Sequence, residues 1–464
     1  MNIQVPEATL QQLSLPKANV RTDAESIKEY GRDWTKNYDV SAGAILFPET
    51  EDQVQEIVKW ARKNKIKLVP SGGRTGLSGA AMATQGEVVV SFEKMNKILD
   101  FNPVDRTVKV QPGVITEALQ DYVKAQGYYF PVDFAARGSS HIGGNIATNA
   151  GGVKVIRYGS MRDWVAGLRV VTGAGEVLDL NRGLIKNATG LDFRHLFIGS
   201  EGTLGFVTEA TLKFTRPTMP LSVMILGVPD LDAVMKVFKR FRENIELTAF
   251  EFFSDVALHY VLEATDLQKP LSTDCPNYLL IEVEKTSDDA EGKMLEAFEH
   301  CVEQGWVLDG VIAQSDAQAR DFWRLREDIS EATSPYSPYK NDISVTISQV
   351  PAFLKETDAV LKENYPDFKV VWFGHIGDGN MHINILKPEG LDRETFLKRC
   401  KGADSLLFSV IQKLGGSVSA EHGVGLTKKP FLNYTRPKEE VELMRGVKKV
   451  FDPDNILNPG KIFD

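Results

Sequence analysis

Three glycine-rich clusters in the first half of this 464-residue chain constrain its fold more than any other feature. The first, Pro70-Ser71-Gly72-Gly73-Arg74-Thr75-Gly76-Leu77-Ser78-Gly79, follows a run read as a strand, Lys67 to Pro70. The second runs from Gly138 to Gly152, where 12 of 15 residues are Gly, Ala, Ser, Thr or Asn. The third is Gly199-Ser200-Glu201-Gly202-Thr203-Leu204-Gly205-Phe206-Val207-Thr208. Glycine lets backbone amides approach an anion or a flat ring closely, and successive amides make an anion nest. None of the clusters ends in Gly-Lys-Ser/Thr, and none opens a helix directly behind Gly-x-Gly-x-x-Gly. One such cluster alone is an ordinary turn-rich loop. Three in one α/β region point to a large, extended cofactor.

Around the clusters, strands and helices alternate. Thr50 and Gln53 form a capping box, with Val54, Ile57, Val58 and Ala61 following at helical spacing. Strands are expected at Val88–Phe92 and Arg106–Val110, and a helix at Thr116–Ala125. After Arg216-Pro217 the texture changes. From Leu221, and again from Ile343, the order is strand, helix, strand, strand, helix, strand, which predicts two split βαβ units side by side in one sheet. The expected class is α+β: a domain of two α/β subdomains, plus one with an antiparallel sheet flanked by helices. The expected bounds are an N-terminal arm at 1–40, the first domain at 41–218, the second at 219–424, and a C-terminal segment at 425–464 that returns to the first.

Composition narrows the function. A net charge of −9 disfavours nucleic acid and anionic membrane surfaces as general partners. Cys275, Cys301 and Cys400 are too few and too scattered for a disulfide framework or a thiolate metal site. No signal peptide or apolar run of transmembrane length is visible, so a cytoplasmic protein is expected.

The segment Gly374-His375-Ile376-Gly377-Asp378-Gly379-Asn380-Met381-His382 holds two of the seven histidines. Asp378-Gly379 is a hairpin signal between two apolar runs. With the turn there, His375 falls opposite His382, with Cβ atoms roughly 5 Å apart. Glu421 would complete a two-His, one-carboxylate set with open positions, the pattern of a catalytic metal. The same residues also suit an ordinary turn with an incidental histidine pair.

Together, Pro70–Gly79, Gly143–Gly152, Gly199–Thr208 and Asn458-Pro459-Gly460-Lys461 resemble the flavoprotein family of vanillyl-alcohol oxidase and p-cresol methylhydroxylase. The nearest branch holds D-lactate dehydrogenase, the glycolate oxidase flavin subunit and D-2-hydroxyglutarate dehydrogenase. The resemblance spans roughly residues 40 to 464. It implies FAD with its pyrophosphate on the first loop and its ring at the domain interface. The implied lining is Pro70, Ser71, Gly72, Gly73, Arg74, Thr75, Gly76, Gly79, Pro131, Gly138, Ser139, Gly143, Gly144, Thr148, Asn149, Gly152, Val207 and Asn458. Some members attach FAD through a first-loop histidine. Arg74 and Thr75 stand there in this chain, so non-covalent FAD is expected.

The resemblance further implies that His375, His382 and Glu421 bind a divalent metal, Zn2+ or alternatively Mn2+ or Co2+, and that His422 is the catalytic base. In the hydroxyglutarate branch the residues matching Arg326, Ser330 and Lys340 bind substrate carboxylates, with Asn384 nearby and His422 also at the substrate. Phe322–Ser330 reads as one helix, with Arg326 and Ser330 on one face. The implied reaction is oxidation of D-2-hydroxyglutarate to 2-oxoglutarate, with electrons passed to electron-transfer flavoprotein or a quinone. D-lactate or glycolate oxidation, and a non-catalytic flavin-binding scaffold, are the alternatives. The oligomeric state stays open, a homodimer included.

Overall fold

The parallel core of the first unit forms where short β-branched runs alternate with one strongly amphipathic helix. The computed structural model describes residues 4–35 and 38–463. Two units emerge: residues 1–151, 160–217 and 421–464 make one, and residues 152–159 and 218–420 the other.

In the first unit, β1 (Val20–Arg21), β2 (Ala42–Leu46), β3 (Leu68–Ser71) and β4 (Glu87–Ser91) form a sheet in the order β1-β2-β4-β3. β2, β4 and β3 run parallel, and β1 joins β2 antiparallel. The helix Glu51–Asn64 starts where Thr50 accepts from the Gln53 amide and buries Val54, Ile57, Val58 and Ala61. A second, antiparallel sheet contains β5 (Ile98–Asn102), β6 (Thr107–Val110), β7 (Val165–Thr172), β8 (Val177–Leu180) and β9 (Gly205–Lys213), in the order β5-β6-β9-β7-β8.

The stretch expected to be an arm is instead part of this unit's core over its described residues. Leu10, Leu13 and Leu15 pack with Val54, Ile57 and Trp60, while Ile27 and Tyr30 pack with Ile45 and Phe47. Its apolar residues are few, but each covers one face of the parallel sheet. Residues 1–3 and 36–37 lie outside the described residues.

The second unit is built on one antiparallel sheet of seven strands: β10 (Leu221–Val228), β11 (Leu247–Ser254), β12 (Asn277–Glu284), β13 (Asp309–Ile312), β14 (Tyr339–Ser344), β15 (Lys369–Gly374) and β16 (Asn380–Leu386). The order is β13-β10-β12-β11-β15-β16-β14. Each half is a split βαβ arrangement, and they join edge to edge through β11 and β15. The last strand of the second half shrinks to a bridge between Ser344 and Ser417. Among the described residues, no helix is long and apolar enough to cross a membrane.

Candidate active site

In the first unit, the glycine clusters surround a cleft with 970 Å³ of empty space counted to its mouth. Of the residues expected to line it, Pro70, Ser71, Gly72, Gly73, Arg74, Thr75, Gly76, Gly143, Gly144, Thr148 and Val207 do so. Close approach explains the glycines: a Cβ on Gly73 would meet the Ser139 carbonyl at 2.1 Å, and one on Gly143 would meet Pro112 at 2.6 Å. Gly79, Pro131, Gly138, Ser139, Asn149 and Asn458 lie outside this lining, and Gly152 belongs to the other unit. Asn458 acts from behind, donating its side-chain N–H to the carbonyls of Ala80 and Glu201 and so tying the first cluster to the third.

Sequence reasoning missed Asp33, His141 and Glu201, which also line the cleft. Burial, with the Arg74 charge adding to it, pushes the His141 imidazole down to about 4, so the ring is neutral at pH 7. Ser71 Oγ, Ser78 Oγ, Asp33 Oδ2 and His141 Nδ1 are buried without hydrogen-bond partners in the protein. Buried polar groups are rarely left so. Four of them on one concave wall fit a large polar cofactor such as FAD.

Glu201 lies 4 % exposed in the left-handed region, at φ 51°. It accepts from the Val424 and Gly425 amides at 2.6 and 2.8 Å, and thereby holds the segment that follows His422. Burial pushes its carboxyl up to about 7, against the opposing pull of those amides and Lys461.

In the second unit, strand register assembles the polar groups. The histidine hairpin differs from expectation: Phe373, not His375, lies opposite His382. The connection is a four-residue turn, Ile376–Gly379, closed by the Asn380 amide on the His375 carbonyl at 3.3 Å. A two-residue change of register preserves the face, because side chains alternate with period two. The rings still meet, with centroids 5.3 Å apart. The residue aligned with His375 lies across the other edge of β15. Gly374 pairs with Phe252, and one step further the register brings Glu251 to His375. His375 Nδ1 lies 2.9 and 2.8 Å from the two carboxylate oxygens of Glu251.

The same face continues across β16 and β14. His382 pairs with Asp342, and Asn384 with Lys340. His382 Nδ1 is 3.5 Å from Asp342 Oδ1, while Asp342 also accepts from Asn380 and from the Ala420 amide. The tie at Ala420 fixes the start of the next residue, Glu421. Ligand atoms of His375, His382 and Glu421 all lie within 4.8 Å of one another, a set able to hold a metal ion. Each imidazole has Nδ1 beside a carboxylate, the usual arrangement behind metal-bound histidines.

Arg326 is buried, with Nη2 2.9 Å from Glu251 Oε2 and its guanidinium 5.0 Å over the Phe373 ring. Burial pushes the Glu251 carboxyl up, but His375, Arg326 and Lys154 more than offset it and hold it below the ordinary range. The helix expected over Phe322–Ser330 is divided: one helix ends at Glu327, Asp328 closes it, and Ser330 sits in a separate turn, Ile329–Ala332. Lys340 has no acidic partner among the described residues. Protein packed around its ammonium lowers its pKa, although the residue is exposed overall.

The family model for "FAD linked oxidases, C-terminal domain" matches residues 220–462, and that for "FAD binding domain" matches residues 42–181. A D-2-hydroxyglutarate dehydrogenase of Stutzerimonas stutzeri (strain A1501) is 58% identical over 444 residues, covering 96% of each chain. One from Xanthomonas citri pv. viticola is 54% identical over 98% of this chain and 96% of its own. Among solved structures, p-cresol methylhydroxylase with substrate bound superposes with a TM-score of 0.74 at 17% identity, over 99% of this chain and 98% of that one; this likeness speaks for the fold.

Proposed function

The chain belongs to the FAD-linked oxidases and, within them, to the D-2-hydroxyglutarate dehydrogenases, and from that premise we propose that it oxidises D-2-hydroxyglutarate to 2-oxoglutarate with the help of a divalent metal. The observation that carries the diacid is Lys340: a lysine with no acidic partner among the described residues, paired with Asn384 on the sheet face that holds both histidines. FAD, when bound in the glycine-lined cleft, supplies the hydride acceptor, its N5. A divalent ion on His375, His382 and Glu421 supplies a Lewis acid for the substrate's 2-hydroxyl and 1-carboxylate.

The chain's own residues divide the remaining work. His422 takes the hydroxyl proton, a general-base task for which an imidazole is suited. Arg326, Lys340 and Asn384 hold carboxylate oxygens, with Ser330 beside them, and so fix the substrate's length and orientation. Gly72, Gly73 and Gly76 offer backbone amides to the pyrophosphate, and Arg74 and Thr75 leave FAD non-covalent. Zn2+ suits the nitrogen and oxygen donors. Electron-transfer flavoprotein is the proposed acceptor. A cytoplasmic location goes with this reading, supported by three scattered, unpaired cysteines.

The test is an anaerobic titration following flavin absorbance with D-2-hydroxyglutarate, D-malate and D-lactate, repeated after EDTA treatment and Zn2+ readdition. The two diacids should bleach the flavin faster than D-lactate, and EDTA should slow bleaching reversibly. Faster bleaching by D-lactate would overturn the diacid; undiminished bleaching by metal-free protein would overturn the metal.

A further inference from the structure

We propose that Glu251 is a positioning residue shared by the metal site and the diacid site, coupling a metal-ligand histidine to the substrate-binding arginine. This rests on the function proposed above, and it assigns a residue that carries none of those roles itself. Glu251 comes from the middle of the apolar run Leu247–Ser254, all of which is buried. Its own side chain is 1 % exposed. An ionised carboxylate taken that far from water needs compensation. It has two cationic or proton-donating neighbours at contact distance: His375 Nδ1, hydrogen-bonded to Oε1 at 2.9 Å, and Arg326 Nη2, 2.9 Å from Oε2 as an ion pair.

Each contact fixes a degree of freedom that the reaction needs fixed. A carboxylate on Nδ1 favours the imidazole proton there, which would leave the Nε2 lone pair available to a metal ion. The carboxylate charge beside Nη2, with Phe373 under the guanidinium, holds Arg326 in place, while its buried Nε and Nη2 make no hydrogen bond within the protein and stay open to a ligand. One carboxylate therefore bears on both the metal-ligand and the substrate-ligand geometry. Asp342 provides the contrast. It backs His382, and it also accepts from Asn380 and from the amide of Ala420, the residue before Glu421. The two carboxylates should thus separate in their effects: Asp342 on the metal alone, Glu251 on the metal and on the choice between diacid and monoacid.

The experiment uses FAD-loaded protein. Zn2+ affinity is measured by competition with a chromophoric chelator, without turnover. The ratio of kcat/KM for D-2-hydroxyglutarate to that for D-lactate is measured with a dye acceptor. Glu251→Gln should weaken Zn2+ binding by about 10- to 100-fold and lower the diacid-to-monoacid ratio at least tenfold. Asp342→Asn should weaken Zn2+ binding while leaving the ratio within about twofold. Glu251→Asp keeps the charge but shortens its reach by one methylene. It is the fallback should the amide variant not fold, and should shift both readouts in the same direction. Wild-type-like Zn2+ affinity in a folded Glu251 variant, or an equal loss of diacid preference in Asp342→Asn, would overturn the coupling. Wild-type protein that binds no Zn2+ would instead overturn the metal reading on which it rests.

Discussion

Glu201 offers a quantitative test of how the first unit holds the segment after His422. Its carboxyl titrates near 4.5 when exposed and at about 7 in the fold, because burial outweighs the Val424 and Gly425 amides. The sign follows from proton counting. Between these two values the unfolded chain has lost the proton while the folded chain keeps it, so folding binds a proton and stability falls as pH rises. The contribution is full below pH 4.5, declines through the window, and is gone above about pH 7. A separation of about 2.5 pH units corresponds to about 3 kcal/mol. For a chain of 464 residues the unfolding entropy is about 1 kcal/mol per degree, so the effect on Tm is about 3 °C. Glu201→Gln removes the ionisable group. The Tm difference between wild type and variant, followed by calorimetry on FAD-loaded protein from pH 4.5 to 8, should therefore shift by about 3 °C against the wild type. Subtracting the variant cancels other titrating groups. A difference that stays constant across this range would refute the reasoning and mean that Glu201 is ionised in the fold.

Other expectations follow from single contacts. Lys340→Ala should reduce kcat/KM for D-2-hydroxyglutarate and D-malate by about 10- to 100-fold, the value of one charged hydrogen bond, with D-lactate changed less than about twofold; steady-state kinetics with a dye acceptor check this. Acid precipitation should release all the yellow colour into the supernatant, and colour retained on the pellet would contradict non-covalent FAD. Asn458→Leu removes the donor to Ala80 and Glu201 and leaves two carbonyls short of a partner. It should cost about 2–3 kcal/mol and lower FAD retention on gel filtration.

The helix at Thr116–Ala125 was legible because its period and ends agree. The two split βαβ halves were legible because element order survives even where sequence similarity between halves does not. The histidine pair was recognised, but with the wrong cross-strand neighbour, since Asp-Gly suggests a two-residue turn. Tertiary contacts select four residues instead: the Gly377 amide bonds the Phe250 carbonyl, and a Cβ on Gly374 would meet the Asn380 carbonyl at 2.4 Å. Glu251 went unnoticed, although an acid inside Leu247-Thr248-Ala249-Phe250-Glu251-Phe252-Phe253 is a signal. A charge in a buried strand demands partners, and those partners are distant in sequence, at Arg326 and His375. The same pattern marks Glu282, whose partners are Lys154, Thr248 and Trp323. The N-terminal stretch was misread because sparse apolar residues carry no periodicity until the sheet they cover is known.

The backbone ladder at Leu68 has a consequence for biosynthesis. Leu68 donates to the Ile456 carbonyl and accepts from Asn458, each at 2.7 Å, and buried Lys448 donates to the Thr203 and Leu457 carbonyls. The edge of the parallel sheet is thus finished by residues almost four hundred positions further along. During synthesis the second unit's contiguous stretch, 218–420, leaves the ribosome before the first unit can close. Closing so long a loop is slow, and until then an unpaired strand edge is exposed. FAD capture in this chain should therefore follow synthesis, and a nascent chain stalled before residue 456 should emerge as an apoprotein.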